Sequence, residues 1–354
     1  MKSRESLGSA LPNKNQRSGA GLPTTTALWL LTPALILATL NDAGACASCG
    51  CTLSPDWDTL QTSKSTGFKV DLRYDYLNQD QLRSGRNAIS SEAASRVMNN
   101  GDPQEVEKYT QNRYTTLGID YADTQNWGIN ISVPYIDRQH SSLGVNSNGQ
   151  APADGAYDSH TANLGDIKVI GRHQGLTERF STSLLFGLKL PSGSHTQTGT
   201  ATDPATPGEI AMIDRGLQPG TGTTDAIVGL LVADNLNLQW EYFGELLYQQ
   251  ALNSRDDYRP GNGVNLNLGL RYAGFPGYYP NLQLNVRAVR PDSGANADTI
   301  STGGTLVYLS PGLTVPLSPQ VSIFGFVQLP VYQYVNGVQL APSFTASLGA
   351  RYSF

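Results

Sequence analysis

The chain has 354 residues, 39% hydrophobic and 15% charged, and its 37 Gly, 20 Pro and 17 Tyr suit a protein of strands and turns rather than a helical bundle. A formal net charge of -5 offers none of the clustered Lys and Arg that nucleic-acid binding requires, so that class is excluded. All-β barrels of this length commonly form one closed unit, and length alone forces no domain boundary.

The first element in chain order reads as an export signal. Lys2, Arg4, Lys14 and Arg17 against the single acid Glu5 form a basic leader, and Ala27–Leu40 (ALWLLTPALILATL) is an apolar core too short to span a bilayer comfortably. The small-residue stretch Ala43-Gly44-Ala45-Cys46-Ala47 follows, so residues 1–45 are expected to be a removed signal peptide, cut after Ala45 or Ala47. No stop-transfer flank appears, which disfavours an N-terminal membrane anchor.

Residues 46–66 are expected to form a short periplasmic segment that carries all three cysteines, Cys46, Cys49 and Cys51. Closely spaced thiolates could chelate a soft metal ion such as Cu(I) or Zn(II), with Gly50 allowing a tight wrap. A Cys49–Cys51 or Cys46–Cys49 disulfide competes with this in an oxidising compartment, and cutting after Ala47 would leave two thiols. Lipid attachment at Cys46 is a third option, although Ala43-Gly44-Ala45 lacks the usual Leu. No Cys-x-x-Cys-His occurs, which excludes covalent c-type haem in this chain.

Beyond residue 45 no apolar run could serve as a membrane helix, so a membrane would have to be crossed by strands. Gly67–Leu77 puts Phe68, Val70, Leu72, Tyr74 and Tyr76 on one face and Lys69, Asp71, Arg73 and Asp75 on the other. Trp127–Tyr135 and Phe180–Lys189 repeat the period of two. Comparable stretches lie near Tyr114–Tyr121, Leu164–His173, Thr224–Ala233, Leu236–Gln249, Val264–Tyr272, Leu282–Arg290, Thr305–Val315, Val321–Val331 and Ser343–Phe354. Residues 67–354 are therefore expected to form an all-β, transmembrane, antiparallel up-and-down β-barrel of about twelve strands, within a range of roughly ten to fourteen. The stretch at Val321 fits least well, since it sets Phe324 and Phe326 on the lumen side.

Connections alternate in length. Short links at Ala122–Asn126, Gln174–Glu178, Asp234–Asn235, Ala273–Tyr279 and Pro316–Gln320 carry turn residues. Long ones fall at Asn78–Lys108, with a helix-capable Ser90–Met98, and at Asp137–Asn163, Pro191–Thr223, Gln250–Gly263, Pro291–Gly304 and Tyr332–Pro342. Bacterial outer-membrane barrels have short periplasmic turns and long outer loops, so both chain ends are expected in the periplasm. Aromatic girdles are expected at Tyr74, Tyr76, Tyr135, Tyr248 and Tyr332 on the loop side and at Tyr121, Trp127, Phe180, Tyr272, Tyr352 and Phe354 on the turn side. The last strand, SFTASLGARYSF, ends in Phe354 and resembles the terminal signature that outer-membrane insertion machinery reads by strand addition.

The polar faces would line the lumen with Lys69, Arg73, Lys168, Arg172, Lys189, Arg271, Arg287 and Arg351 against Asp71, Asp75, Asp120, Asp166, Asp225, Glu241 and Glu245. Charges of both signs nearly balance, and no single-sign ring argues for strict ion selectivity. Three short motifs resemble the outer-membrane "MetA-pathway of phenol degradation" family of transporters. They are Leu164-Gly165-Asp166-Ile167, then Leu188-Lys189-Leu190-Pro191-Ser192-Gly193, then Leu217-Gln218-Pro219-Gly220-Thr221-Gly222-Thr223-Thr224-Asp225, with Ser192 where Thr is usual. The resemblance covers about half the chain and implies a barrel that carries solutes.

No nucleophile motif accompanies His140, His160, His173 and His195, so an enzyme is not expected. The leading expectation is a channel in the outer membrane of a Gram-negative bacterium, contacting lipid and passing small, apolar or aromatic solutes. The alternatives are a filled barrel with a metal or redox-partner site at the cysteines, and an adhesive barrel acting through its loops.

Overall fold

A computed structural model describes residues 66–99, 102–103, 106–123, 126–143, 156–176, 181–200 and 210–354. The export signal, Cys46, Cys49 and Cys51, and Phe180 of the expected girdle lie outside the described residues.

The strands that build the wall are β1 (Gly67–Gly85), β2 (Val106–Ala122), β3 (Trp127–Leu143), β4 (Ala156–Leu164), β5 (Lys168–Gln174), β6 (Ser181–Lys189), β7 (Asp225–Asn235), β8 (Trp240–Ala251), β9 (Gly263–Tyr272), β10 (Tyr279–Val289), β11 (Gly304–Pro316) and β12 (Val321–Ser353). Sequential neighbours pair antiparallel, and β12 returns to β1 in the register Lys69↔Ser353 through Tyr74↔Leu348, which closes the ring. β4 and β5 lie end to end along β3: β4 pairs with Tyr135–Leu143 and β5 with Trp127–Ser132, so the two make one stave broken at Gly165–Ile167.

The closed path thus contains eleven strands, and an odd ring cannot be antiparallel at every seam. β12 resolves this. Its first leg pairs with β11 as far as Val335, and its second leg pairs with β1 from Val338, the reversal falling at Asn336-Gly337 with Gly337 at φ +52°. Asn-Gly is the preferred pair for a two-residue hairpin turn. Twelve staves therefore cross the wall, all antiparallel.

Alternation sorts the side chains as a membrane demands. In β7, Val228 and Leu230 are exposed while Ile227 and Leu231 are buried, and in β1 Phe68, Leu72 and Tyr74 are exposed while Lys69, Asp71, Arg73 and Asp75 are buried. Exposed aliphatic residues recur on every side of the ring, for example Leu268 in β9, Leu284 in β10, Leu313 in β11 and Leu348 in β12. At the turn end Phe68 meets Tyr121 at 4.4 Å, Trp240 meets Tyr272 at 5.0 Å and Tyr352 meets Phe354 at 4.7 Å, forming an aromatic band.

Several expected boundaries are corrected. Much of the expected loops Asn78–Lys108, Asp137–Asn163 and Tyr332–Pro342 is strand: β1 and β2 remain in register at Gln79↔Thr110, and β3 continues to Leu143. Above the lipid both faces meet polar surroundings, so alternation disappears from the sequence while the backbone ladder continues. The stretch Leu236–Gln239 is a turn rather than the start of β8, Leu236 donating its backbone N–H to the Trp240 carbonyl at 2.8 Å. Of the helix-capable Ser90–Met98, only Ser91–Ala94 is helical, capped by the Ser90 side chain.

Phe324 and Phe326 do face inward, 6% and 7% exposed. Gly349 makes the room, since a Cβ there would stand 2.4 Å from the Phe324 ring. Arg351 lies over that ring at 5.6 Å.

Because the mid-strand Leu230 faces outward, Leu230→Arg is expected to destabilise the barrel by about 2–4 kcal/mol. Equilibrium urea unfolding in lipid vesicles measures this, and a cost near zero would mean that β7 does not face lipid.

Candidate functional site

The interior is built from three tiers. At the turn end, ion pairs ring the mouth. Arg172 grips Asp120 through both guanidinium arms, at 2.5 and 2.9 Å, Arg271 Nε meets Glu241 at 2.6 Å, and Arg351 lies 3.7 Å from Asp71. Buried charges of this kind persist only when paired and hydrogen-bonded, which two-armed geometry provides. Lys69 is buried beside them, in register with Asp120.

In mid-barrel, Arg73 Nε meets Asp75 at 2.7 Å, and Ser347 donates to the other Asp75 oxygen at 2.5 Å. A polar ladder crosses the adjacent wall: Ser310 donates to Asn285 at 2.7 Å, Asn285 to Asn267 at 2.8 Å, and Asn267 to Glu245 at 2.9 Å. Arg287 reaches Asn265 at 3.0 Å. The expected lumen residues thus fall into separate pairs and ladders rather than one network.

Apolar side chains interrupt these charges, a feature that the sequence reading missed. Leu185, Leu231, Ala233 and Phe243 form one inward cluster, and Leu77, Tyr114 and Ile136 form another nearer the loop end. The adjacent pairs Leu184-Leu185 and Leu230-Leu231 carried the signal for the first cluster, because two neighbouring leucines cannot both face lipid in a strand.

The third tier gathers the three sequence motifs around one carboxylate. Asp166, at the break between β4 and β5, accepts hydrogen bonds from the Gly193 N–H at 3.0 Å, the Thr221 N–H at 2.9 Å and the Thr221 hydroxyl at 2.8 Å. Lys189 Nζ stands 3.0 Å from Asp166 and 3.2 Å from Asp225, bridging the ends of β6 and β7. Thr223 closes the knot by donating to Asp225 at 2.7 Å. The connecting chain crosses itself at Gly193 and Gly220, where a Cβ on Gly220 would lie 2.5 Å from the Gly193 carbonyl. Only glycine permits so close a backbone approach.

From this knot residues 210–224 pack back onto the wall. Arg138 donates to the Gly216 carbonyl at 3.0 Å and the Gln218 carbonyl at 3.3 Å, and Thr161 donates to the Leu217 carbonyl at 3.1 Å. Beneath them is a cavity of about 190 Å³, lined from β1, β2, β3, β5, β6, β7, β8, β9 and β10 and by the Gln218-Pro219 and Pro260-Gly261 segments.

On the loop side a smaller cavity is lined by Asp214, Asp292, Asp298, Arg215 and Tyr258. Burial raises the Asp292 carboxyl above its ordinary value, opposed by its bonds from the Gly261 N–H and the Tyr258 hydroxyl and reinforced by Asp298.

Apolar outside, polar and apolar by turns inside, and closed without an edge, the chain is a transmembrane β-barrel of the Gram-negative outer membrane. No family model and no curated protein matches it. Among solved structures it is similar to the COG4313 outer membrane channel from Pseudomonas putida F1, at 12% identity and a TM-score of 0.56, over 82% of this chain and 96% of that one. The CymD monoaromatic hydrocarbon channel aligns at 11% identity and a TM-score of 0.44, over 89% and 98% of the two chains. A Pseudomonas aeruginosa FadL homologue aligns at 11% identity and 0.45, over 83% and 92%. At such identities the likeness is one of fold.

Two outcomes follow from this geometry. Asp166→Ala removes an acceptor of three protein hydrogen bonds and one partner of buried Lys189, and is expected to cost about 3–5 kcal/mol, the range for breaking a buried ion pair. It should also open Arg215, whose side chain is 8% exposed, to trypsin, read by mass spectrometry as a cut absent from the parent protein. For Asp292, a folded value raised above the unfolded one means stability is present at low pH and lost as pH rises through the folded value. Asp292→Asn should therefore raise the thermal midpoint in detergent near neutral pH, yet leave it unchanged below the unfolded aspartate value of about 3.9.

Proposed function

We propose that this barrel is a channel for small, largely apolar or aromatic solutes. The observation that carries the reading is the cavity of about 190 Å³ inside a closed ring, whose walls set cationic groups beside Tyr114, Pro134 and Ile136. A barrel merely filled for stability would leave no such space. An aqueous porin, for its part, would have little use for the inward cluster of Leu185, Leu231 and Phe243. The motif resemblance to a family of solute carriers supports the same reading, as does the likeness of fold to an outer membrane channel.

The chemistry needed is passage, not turnover. Each described histidine has its own neighbour, His140 with Thr110 at 2.8 Å, His160 with Asp137 at 3.2 Å, His173 against the Trp127 ring at 4.3 Å and His195 with Asp256 at 3.6 Å, so we read the protein as non-enzymatic. Assembly through the terminal strand belongs to the same proposal, the exposed Phe354 closing the seam by its N–H bond to the Phe68 carbonyl at 2.9 Å.

Planar-bilayer recording tests the reading. Discrete single-channel steps are expected from the purified protein, and Arg138→Ala, which releases the Gly216 and Gln218 carbonyls, should enlarge them about twofold or more, since such charge-assisted bonds hold the constriction. A barrel that never conducts, yet binds Cu(I) through Cys46, Cys49 and Cys51, would replace this function with the metal-site alternative.

A further inference from the structure

The cavity is electrically lopsided. Arg73, Arg138, Lys168, Lys189 and Arg287 face it against Asp166 and Asp225 as the lining carboxylates. Most of these cations have settled partners: Arg73 has Asp75, Arg138 has Asn112 and two carbonyls, and Lys189 has both lining carboxylates. Lys168 is different, having no hydrogen-bond or ion-pair partner among the described residues.

Its position makes that costly. The β5–β6 register sets Lys168 directly opposite Lys189, and like charges directly opposite one another destabilise a sheet. Arg287, reaching in from a stave nearly opposite in the ring, adds a further positive field, as does Arg73, and Asp225 offers a partial counterweight already shared with Lys189. Stability alone would favour a neutral residue at position 168. An unpaired ammonium that faces a second cation across an open space has the form of an anion site.

We propose that this chamber binds a small aromatic carboxylate, with the carboxylate held between Lys168 and Arg287 and the ring against Tyr114, Pro134 and Ile136. The proposal rests on the channel reading and names a solute class for it. The size agrees, since an apolar cavity of about 150 Å³ accepts one benzene ring and this one measures about 190 Å³. The mixture of walls agrees as well: apolar surface takes the body of the solute while a few placed charges orient its head. Aromatic carboxylates are ionised at neutral pH, so their charge is present when they arrive.

Titration calorimetry of the full folded protein in detergent, with benzoate and its uncharged relative benzyl alcohol as probes and a detergent blank subtracted, tests the site. Benzoate is expected to bind about tenfold more tightly or better, a difference of about 1.4 kcal/mol. Lys168→Gln and Arg287→Gln should each weaken benzoate by about tenfold without changing benzyl alcohol, as loss of a charge-assisted contact requires. Lys168→Arg keeps the charge and should stay within about threefold, which separates loss of charge from loss of folding. The remote loop variant Arg96→Gln should change nothing. Equal binding of the two probes, or benzoate binding indifferent to Lys168→Gln, overturns the inference even if the barrel conducts. Benzoate bound through Lys168 in a barrel that does not conduct upholds the site and removes the passage reading.

Discussion

Hydrocarbon offers no partner to a backbone N–H or C=O, so a strand can cross a membrane only if every neighbouring seam is closed. That constraint governs the rest of this structure. It requires β12 to return to β1, and with every seam antiparallel the ring then needs an even number of staves, met here by folding the 33-residue β12 back on itself at Asn336-Gly337. It also tolerates a break only where other groups take over the orphaned backbone. At Gly165–Ile167 the Gly165 N–H still reaches the Pro134 carbonyl at 2.8 Å, and the Ser192 hydroxyl receives the Ile167 N–H at 2.8 Å.

Closing the ring inverts the usual arrangement of a core. Aliphatic residues serve on the outside, and the inside must satisfy its own charges away from bulk water. The solution here is local: short pairs such as Arg172 with Asp120, a ladder from Ser310 to Glu245, and the Asp166 knot. The ladder joins adjacent staves, and Arg172 on β5 reaches across β3 to Asp120 on β2, so these contacts also pin the register of the staves they span. The apolar clusters between them leave the interior mixed in character, and space survives where neither kind of packing fills it.

The Asp166 knot explains why three short motifs, separated along the chain, belong together. One supplies the carboxylate, the second the ammonium of Lys189 and the Gly193 N–H, and the third the Thr221 donors and Asp225. Their joint product is an inward-packed connection held to Arg138 and Thr161 on the wall. The ceiling of the cavity is therefore set by the same contacts that repair the broken stave.

The alternation in Gly67–Leu77, the turn residues and the terminal Phe354 made the class of fold legible in the sequence, because the period of two and the demand for lipid-facing apolar groups act residue by residue. The same alternation marked Lys168 and Arg287 as facing inward. It could not reveal that one is unpaired and near the other, since their strands lie on distant staves and only the closing of the ring sets them in one space. Strand lengths beyond the lipid, the inward Leu185 and Leu231, and the convergence on Asp166 were likewise decided by tertiary structure. Above the membrane the pattern of polarity loses its meaning, and partners brought together by barrel curvature share no spacing in the chain.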